Sequence, residues 1–225
     1  MARVIAIDGP SGAGKGTVSR LLAERIGFQY LDTGALYRAV ALYLLRKGIK
    51  SDCSDEEIAI ALTDLKVLYI NGRVYISQPS GDNMDSVEDV SDVIRTTDIG
   101  HYASVFSAKK SVRDFLLQIQ RDAAIKNDIV AEGRDMTTIV FPDAWKKFYL
   151  DATTEERARR RFIQLKEKGI DITMEDALRD VIDRDIRDSS RDIAPLKRVD
   201  EAIYIDTTNL NINEVVEEML KEINK

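Results

Sequence analysis

The sequence has few of the residues that form disulfide bonds in small secreted domains or bind metals in common sites. Cys53 is the only cysteine, so no disulfide can form within the chain. His101 is the only histidine, which leaves no obvious zinc or haem site. Proline occurs only four times, and there is neither a Pro-rich linker nor an internal repeat. No uncharged apolar run approaches the roughly 18–20 residues that span a bilayer.

The composition that remains is an ordinary globular mixture. Hydrophobic residues make up 44% of the 225 positions and charged residues 32%, which is enough apolar surface to offset the entropy lost on folding. The 33 basic and 39 acidic side chains leave a net charge of −6, which disfavours a protein that coats nucleic acid. The apolar stretch before Asp8 is too short for a signal peptide, so we expect a cytoplasmic protein.

Short apolar runs alternate with segments of helical spacing. This alternation favours a parallel sheet with right-handed crossovers and flanking helices. The runs predict five strands and seven helices. The strands are 3–8, 28–31, 128–132, 146–150 and 203–206, and the helices are 17–26, 34–47, 54–64, 108–126, 154–168, 174–189 and 212–223.

One segment departs from this alternation. Residues 66–70 and 73–77 alternate apolar and polar side chains around Asn71-Gly72, the strongest short signal for a β-hairpin. We interpret this antiparallel patch as an insertion that extends to about Arg95.

A glycine-rich loop between the first strand and the first helix matches the phosphate-loop pattern G-x-x-x-x-G-K. Its glycines let backbone N–H groups point at phosphate oxygens, and Lys15 would reach the β- and γ-phosphates. A glycine-rich turn with a solvated lysine is the alternative. Gly16 stands where most such loops have the Ser or Thr that binds Mg²⁺, so no direct metal ligand is assigned. The predicted ATP-binding residues are Gly9, Pro10, Ser11, Gly12, Ala13, Gly14, Lys15, Gly16 and Thr17.

Polar residues follow two of the other strands, where ligands of open α/β sheets bind. Thr33 and Arg38 come after the second strand, although Thr33 could instead be a helix N-cap and Arg38 a solvated side chain. Glu132 ends the third core strand and could orient a Mg²⁺-bound water. Arg134 and Asp135 follow it, and their alternative interpretation is a surface ion pair.

Two highly charged helices come next. Arg184, Asp188 and Arg191 on the second of them suggest an arginine-bearing lid, because guanidinium groups stabilise the charge that develops in phosphoryl transfer. Spacings such as Asp180–Arg184 fit a solvated helical hairpin equally well. Ser104 and Arg113, taken alone, are interpreted as solvated.

Taken together, these blocks resemble the bacterial cytidylate kinases, a family of P-loop nucleoside-monophosphate kinases. The resemblance implies an α/β fold: a five-stranded parallel sheet with flanking helices, an inserted monophosphate-binding subdomain with a small antiparallel sheet, and a helical lid. The matching blocks are 7–17, 31–38, 133–135, 140–144, 184–191 and 194–196. The implied division of a single kinase domain, 1–225, is a core of 1–32, 100–153 and 193–225, a monophosphate-binding region of 33–99 and a lid of 154–192.

The resemblance also implies a reaction and roles for residues. ATP with Mg²⁺ would phosphorylate CMP or dCMP, in a monomer with no nucleic-acid or membrane partner. Ser104, Arg113 and Asp135 would read cytosine, because a carboxylate accepts from its exocyclic amine and Arg and Ser donate to N3 and O2. The implied catalytic residues are Lys15, Arg134, Arg184 and Arg191; Arg157 would join the ATP site; Glu132 would contact the metal through water; and the CMP site would contain Thr33, Arg38, Ser104, Arg113, Arg134, Asp135, Arg184, Asp188 and Arg191.

Two positions depart from what the family leads us to expect, and two rival functions remain. Thr33 stands where some relatives have Ser, and Glu132 where others have Asp. One rival is another small P-loop kinase that acts on AMP, GMP or a small alcohol. The other is a nucleotide-binding switch, which the absence of an Asn-Lys-x-Asp guanine signature disfavours.

Overall fold

The computed structural model describes residues 2–78 and 86–225. Met1 of the predicted core and residues 79–85 of the predicted insertion lie outside the described residues. The chain divides into two compact units, one formed by residues 31–127 and the other by residues 2–30 and 128–225. The division into core, monophosphate-binding region and lid stays a prediction.

The order of elements follows the predicted alternation. The strands are β1 (Val4–Asp8), β2 (Gln29–Asp32), β3 (Lys66–Ile70), β4 (Arg73–Gln78), β5 (Ser86–Asp89), β6 (Ile129–Glu132), β7 (Lys146–Asp151) and β8 (Ile203–Asp206). The helices are α1 (Lys15–Ile26), α2 (Thr33–Arg46), α3 (Asp55–Leu62), α4 (Thr97–Phe106), α5 (Lys110–Asp122), α6 (Thr154–Glu167), α7 (Met174–Ser190) and α8 (Ile212–Ile223).

The large sheet has the strand order β2-β6-β1-β7-β8, which confirms the prediction of a five-stranded parallel sheet. β1 lies at its centre and pairs in parallel with β6 and β7. Ile5, Ala6 and Ile7 are completely buried, as expected for a strand covered on both faces. On one of these faces Val18 and Leu22 of α1 pack in a shared core with Phe148 of β7 and with α8.

The unit formed by residues 31–127 is built around α2. Its side chains Leu36, Val40 and Leu44 are fully buried, and the helix contacts α4 and α5 as well as the small sheet. That sheet is antiparallel with the order β3-β4-β5. The turn between β3 and β4 has positive φ at both Asn71 (50°) and Gly72 (78°), as a type I′ hairpin turn requires, and the predicted hairpin is confirmed.

The long helix predicted over about 108–126 is present as α5, but it is shorter at both ends. The structure has α5 over Lys110–Asp122 and a separate helix, α4, over Thr97–Phe106, which the sequence reading missed. The chain turns between them, where the Lys109 ammonium group donates to the carbonyl of Cys53 (2.7 Å). That contact joins positions 56 apart in the chain.

Two further features concern helices. Residues Met136–Val140 form a single π-helical turn, which the sequence reading did not predict. In the part of the chain that the structure describes, every helix is too short or too polar to cross a membrane.

Candidate active site

The phosphate loop is packed so closely that two of its glycines have no room for a side chain. A Cβ on Gly9, whose φ is 148°, would lie 1.9 Å from the carbonyl oxygen of Leu150. A Cβ on Gly12, whose φ is 83°, would lie 2.9 Å from the Cβ of Arg157. The loop can therefore follow this path only with glycine at both positions.

The loop ends at a helix whose N-terminus is open. Gly14 caps α1 in a left-handed conformation and, having no side chain, makes no cap hydrogen bond to the first turn. Side chains cap α2, α3, α4, α6, α7 and α8, whereas α5, like α1, has no side-chain cap. The backbone N–H groups at the start of α1 are therefore left for an anion.

Lys15 lies at this helix start and is almost completely buried. Its ammonium group donates to the carbonyl of Pro10 at 2.8 Å. Burial and then the positive charge of Arg134 lower the pKa of Lys15 to about 7, with Arg184 acting in the same direction and Glu132 opposing it. The site is therefore a concentration of positive charge that an anionic ligand would relieve.

Arg134 and Arg184 converge on a single buried carboxylate. Arg134 Nε donates to Asp188 Oδ2 at 2.7 Å, and Arg184 Nε lies 3.9 Å from the same oxygen. Asp188 is only 3% exposed, and although burial would raise its pKa, the two guanidinium charges hold that pKa below its ordinary value. A surface ion pair at Arg134 and a wholly solvated helical hairpin are therefore both wrong. Arg191, at the end of α7, donates to the carbonyl of Ala194 and adds its charge to those acting on Asp188.

Two acidic residues, at the end of β6 and just after it, lie in the same unit. Asp135 is 3% exposed and precedes the π-helical turn. Glu132 ends β6, and one of its carboxylate oxygens would lie 3.8 Å from a Cβ placed on Gly16. The carboxylate therefore lies near the position where other phosphate loops carry a hydroxyl. Among residues 2–78 and 86–225, no three His, Cys, Asp or Glu side chains form a group that could hold a metal ion by themselves.

Arg157 binds the phosphate loop through the loop's backbone. Its guanidinium group donates to the carbonyls of Ala152 (3.0 Å) and Ser11 (3.1 Å) and pairs with Asp185 at 2.6 Å. This buried side chain therefore connects the phosphate loop to the residue after β7 and to α7. Sequence reasoning missed Asp185 as its partner, because the two residues lie on different helices.

The unit formed by residues 31–127 holds the other predicted site residues, beginning with Arg38 on α2. Its guanidinium group donates to the carbonyls of Ile94 and Thr96, both at 3.2 Å. It lies against α4 at Gly100, where an added Cβ would come within 2.7 Å of the guanidinium. Gly100 was not predicted as a site residue, since only the packing of α2 on α4 shows why a side chain is missing there.

Thr33, Ser104 and Arg113 are buried in this unit, with exposures of 2%, 6% and 7%. Arg113 donates to the carbonyl of Ser107 at 3.0 Å, and its guanidinium lies 5.6 Å from the centre of the Tyr37 ring. The interpretation of Ser104 and Arg113 as solvated is therefore wrong. The N-cap alternative for Thr33 is also wrong, because Asp32 caps α2 by accepting from the N–H of Ala35 (2.9 Å).

Comparison with known proteins shows which family the chain belongs to. The family model described as "Cytidylate kinase" matches residues 5–225. A protein of Thermodesulfovibrio yellowstonii named cytidylate kinase is 55% identical over 99% of this chain and 98% of its own length. A cytidylate kinase of Thermosipho melanesiensis is 47% identical over 97% of this chain and 95% of its own. Among solved structures, an uncharacterized protein from Eubacterium ventriosum has a TM-score of 0.52 at 14% identity, covers 99% of both chains and is similar in fold alone.

Proposed function

The chain belongs to the cytidylate kinase family, and we propose that its phosphate-loop site transfers the γ-phosphoryl group of ATP to CMP or dCMP. The products are ADP and CDP or dCDP. The observation that carries the proposal is the cluster at the loop, where a buried lysine lies in the field of Arg134 and Arg184 beside an open helix N-terminus. A site built in this way is suited to stabilise phosphate charge.

The mechanism is an in-line displacement. A phosphate oxygen of CMP forms a bond to the γ-phosphorus of ATP while the bond to the β–γ bridging oxygen breaks, and ADP leaves. No general base is needed, because the acceptor is already an anion at neutral pH. Lys15, Arg134, Arg184 and Arg191 would neutralise the charge that spreads over the transferred group.

CMP would be recognised by its phosphate and by its base. Arg38 and Arg134 would grip the phosphate, as guanidinium groups bind it through two hydrogen bonds. Asp135 would accept from the exocyclic amine of cytosine, and Ser104 and Arg113 would donate to N3 and O2. The remaining residues of the proposed CMP site are Thr33 beside the nucleoside, with Arg184, Asp188 and Arg191 at the ribose and phosphate.

ATP would bind over the loop, with Arg157 holding the loop's backbone in place. Mg²⁺, when bound with ATP, would neutralise phosphate charge. The residues present fit a metal held mainly by phosphate oxygens and water, because Gly16 has no hydroxyl and the Glu132 carboxylate lies close to that position. Glu132 would then orient a metal-bound water rather than bind the metal directly.

The test of the activity is ADP release from ATP·Mg²⁺ with CMP, dCMP, UMP, AMP, GMP or no acceptor. We expect fast turnover with CMP and dCMP and slow turnover with the purine nucleotides. Acceptor-dependent turnover with AMP, GMP or a small alcohol alone would instead identify one of the rival kinases. Equal slow turnover with every acceptor would favour a nucleotide-binding switch.

The test of the base-reading role is the substitution Asp135→Ala. Without the carboxylate, the exocyclic amine of cytosine loses its acceptor and the carbonyl of uracil no longer meets a negative charge. The ratio of kcat/KM for CMP to that for UMP should fall by about tenfold or more, the effect of one charged hydrogen bond. An unchanged ratio would show that another residue reads the base.

A further inference from the structure

Asp8 is a completely buried acid to which the mechanism above gives no task. It ends β1, one residue before the phosphate loop, and its exposure is 0%. Burial raises the pKa of its carboxyl, against the hydrogen bonds from Thr137 and Met136, and the charge of Asp135 adds to the increase. A buried carboxylate carries a cost in free energy, which its hydrogen bonds must offset.

The Asp8 carboxylate accepts three hydrogen bonds from the two residues that follow Asp135. Oδ1 accepts from the backbone N–H of Met136 at 2.9 Å. Oδ2 accepts from the backbone N–H of Thr137 at 2.8 Å and from its hydroxyl at 2.7 Å. The carboxylate therefore caps the π-helical turn from a strand that lies 128 positions away in the sequence.

The backbone on both sides of Asp135 is held by β1. Before it, the N–H of Gly133 donates to the carbonyl of Ile7 at 2.9 Å, which continues the pairing of β1 with β6. After it, Asp8 holds Met136. The carbonyl of Asp135 itself accepts from two N–H groups within the turn, at 2.9 and 3.1 Å. The backbone of Asp135, which carries the side chain, therefore has little freedom to move.

We propose that Asp8 is a positioning residue for base recognition: by binding the Met136 and Thr137 N–H groups and the Thr137 hydroxyl, it holds the Asp135 carboxylate where it accepts from cytosine. This rests on the proposed function, in which Asp135 reads the base. A carboxylate that only stabilises the fold would affect unfolding without affecting the choice between bases. The two cases can therefore be separated by kinetics.

The first variant is Asp8→Asn. The amide keeps the size of the side chain, but it has one acceptor oxygen and turns an NH₂ group towards at least one of the three donors. We expect the CMP-over-UMP ratio of kcat/KM to fall by about tenfold, mainly through a higher KM for CMP, as one or two buried hydrogen bonds are lost. The KM for ATP should change by less than about twofold, since the loop itself keeps its contacts.

Three further variants make the result interpretable. Thr137→Val removes only the hydroxyl donor and should lower the same ratio by a smaller factor, and it serves as the test if Asp8→Asn fails to fold. Thr137→Ser keeps that donor and should restore the ratio towards that of the unmodified chain. Val216→Ala removes buried methyl groups from α8 in the same unit and should lower thermal stability while leaving the ratio unchanged.

The outcomes separate the inference from the function on which it rests. A lower ratio in Asp8→Asn and Thr137→Val, with an unchanged ratio in Val216→Ala, supports positioning. If Asp8→Asn loses thermal stability but keeps the ratio, or if Val216→Ala lowers it equally, the positioning role is overturned while the function stands. If the unmodified chain shows no preference for CMP over UMP, the proposed reading of the base fails first.

Discussion

The lowered pKa of Lys15 connects nucleotide binding to proton uptake. Its value of about 7 in the unliganded protein means that much of the side chain is neutral above neutral pH. Phosphate oxygens beside it would raise the pKa again, so ATP·Mg²⁺ binding at pH 7.5 should take up as much as about 0.8 proton. Calorimetric titrations in two buffers of different ionisation enthalpy measure this uptake.

The matched control for that titration is Lys15→Arg. A guanidinium stays protonated at every accessible pH, so the variant keeps the positive charge but has no proton to gain. Its binding enthalpy should be the same in both buffers. Proton release, or the same uptake in the variant, would show that another group titrates.

Arg184 is a residue whose loss should affect catalysis more than binding. Its charge acts on Lys15 and its guanidinium lies 3.9 Å from Asp188, so Arg184→Ala should remove stabilisation that matters in the transition state. We expect kcat to fall by about 10²–10³-fold with a much smaller change in the KM for CMP. Arg179→Ala, an exposed position on the same helix, is the control and should leave both constants unchanged. A change in KM alone would argue against the catalytic role.

At the scale of secondary-structure elements, the Arg38 guanidinium of α2 lies against α4 at Gly100. Gly100→Ala should not harm the helix, and could favour it by up to about 1 kcal/mol, because alanine has the higher helix propensity. The new methyl group would, however, displace the Arg38 guanidinium, which would lie within 2.7 Å. The melting temperature should therefore change little, because the gain in helix propensity opposes the loss of the Arg38 hydrogen bonds to Ile94 and Thr96, while the KM for CMP increases.

A double-mutant cycle isolates the cause of that increase. In an Arg38→Ala background there is no guanidinium to displace, so adding Gly100→Ala should raise the KM no further. An additive effect of the two substitutions would show that Gly100 acts on CMP binding by another route.

Helices and turns were predictable where their signals are local. The Asn71-Gly72 turn is required by backbone conformations that these two residues tolerate, and the capping box of Ser54 with Glu57 spans only four positions. The separate helix α4 was missed although Ile99, Ala103 and Phe106 recur at helical spacing and are buried. The turn after it carries a contact from Lys109 to Cys53, which spacing along the chain does not encode.

At the scale of the whole molecule, substrate binding should appear as thermal stabilisation. A ligand that binds only the native state at about 100 times its Kd adds roughly 2.7 kcal/mol, which is about 5–10 °C in Tm for a chain of this size. CMP should raise the Tm more than UMP at the same concentration, and Asp135→Ala should remove the difference. Equal shifts from both nucleotides in the unmodified chain would indicate a site that recognises only phosphate.

The sequence by itself determined the features that depend on residues close together in the chain. The phosphate loop, the hairpin, the helix caps and the apolar runs of the parallel sheet all follow from local conformational preference and periodicity. These features were enough for the resemblance to a kinase family, and the family match over residues 5–225 confirmed it.

Only the tertiary structure decided which side chains those features bring together. Arg134 meets Asp188 across 54 positions, Arg157 meets Ser11 across 146, and Asp8 meets Thr137 across 129. The sequence contains the charges but not their distances, because the path of the chain and the exclusion of water set which charges become partners. For the same reason Asp8 looked like the end of an ordinary strand until its three buried donors were seen.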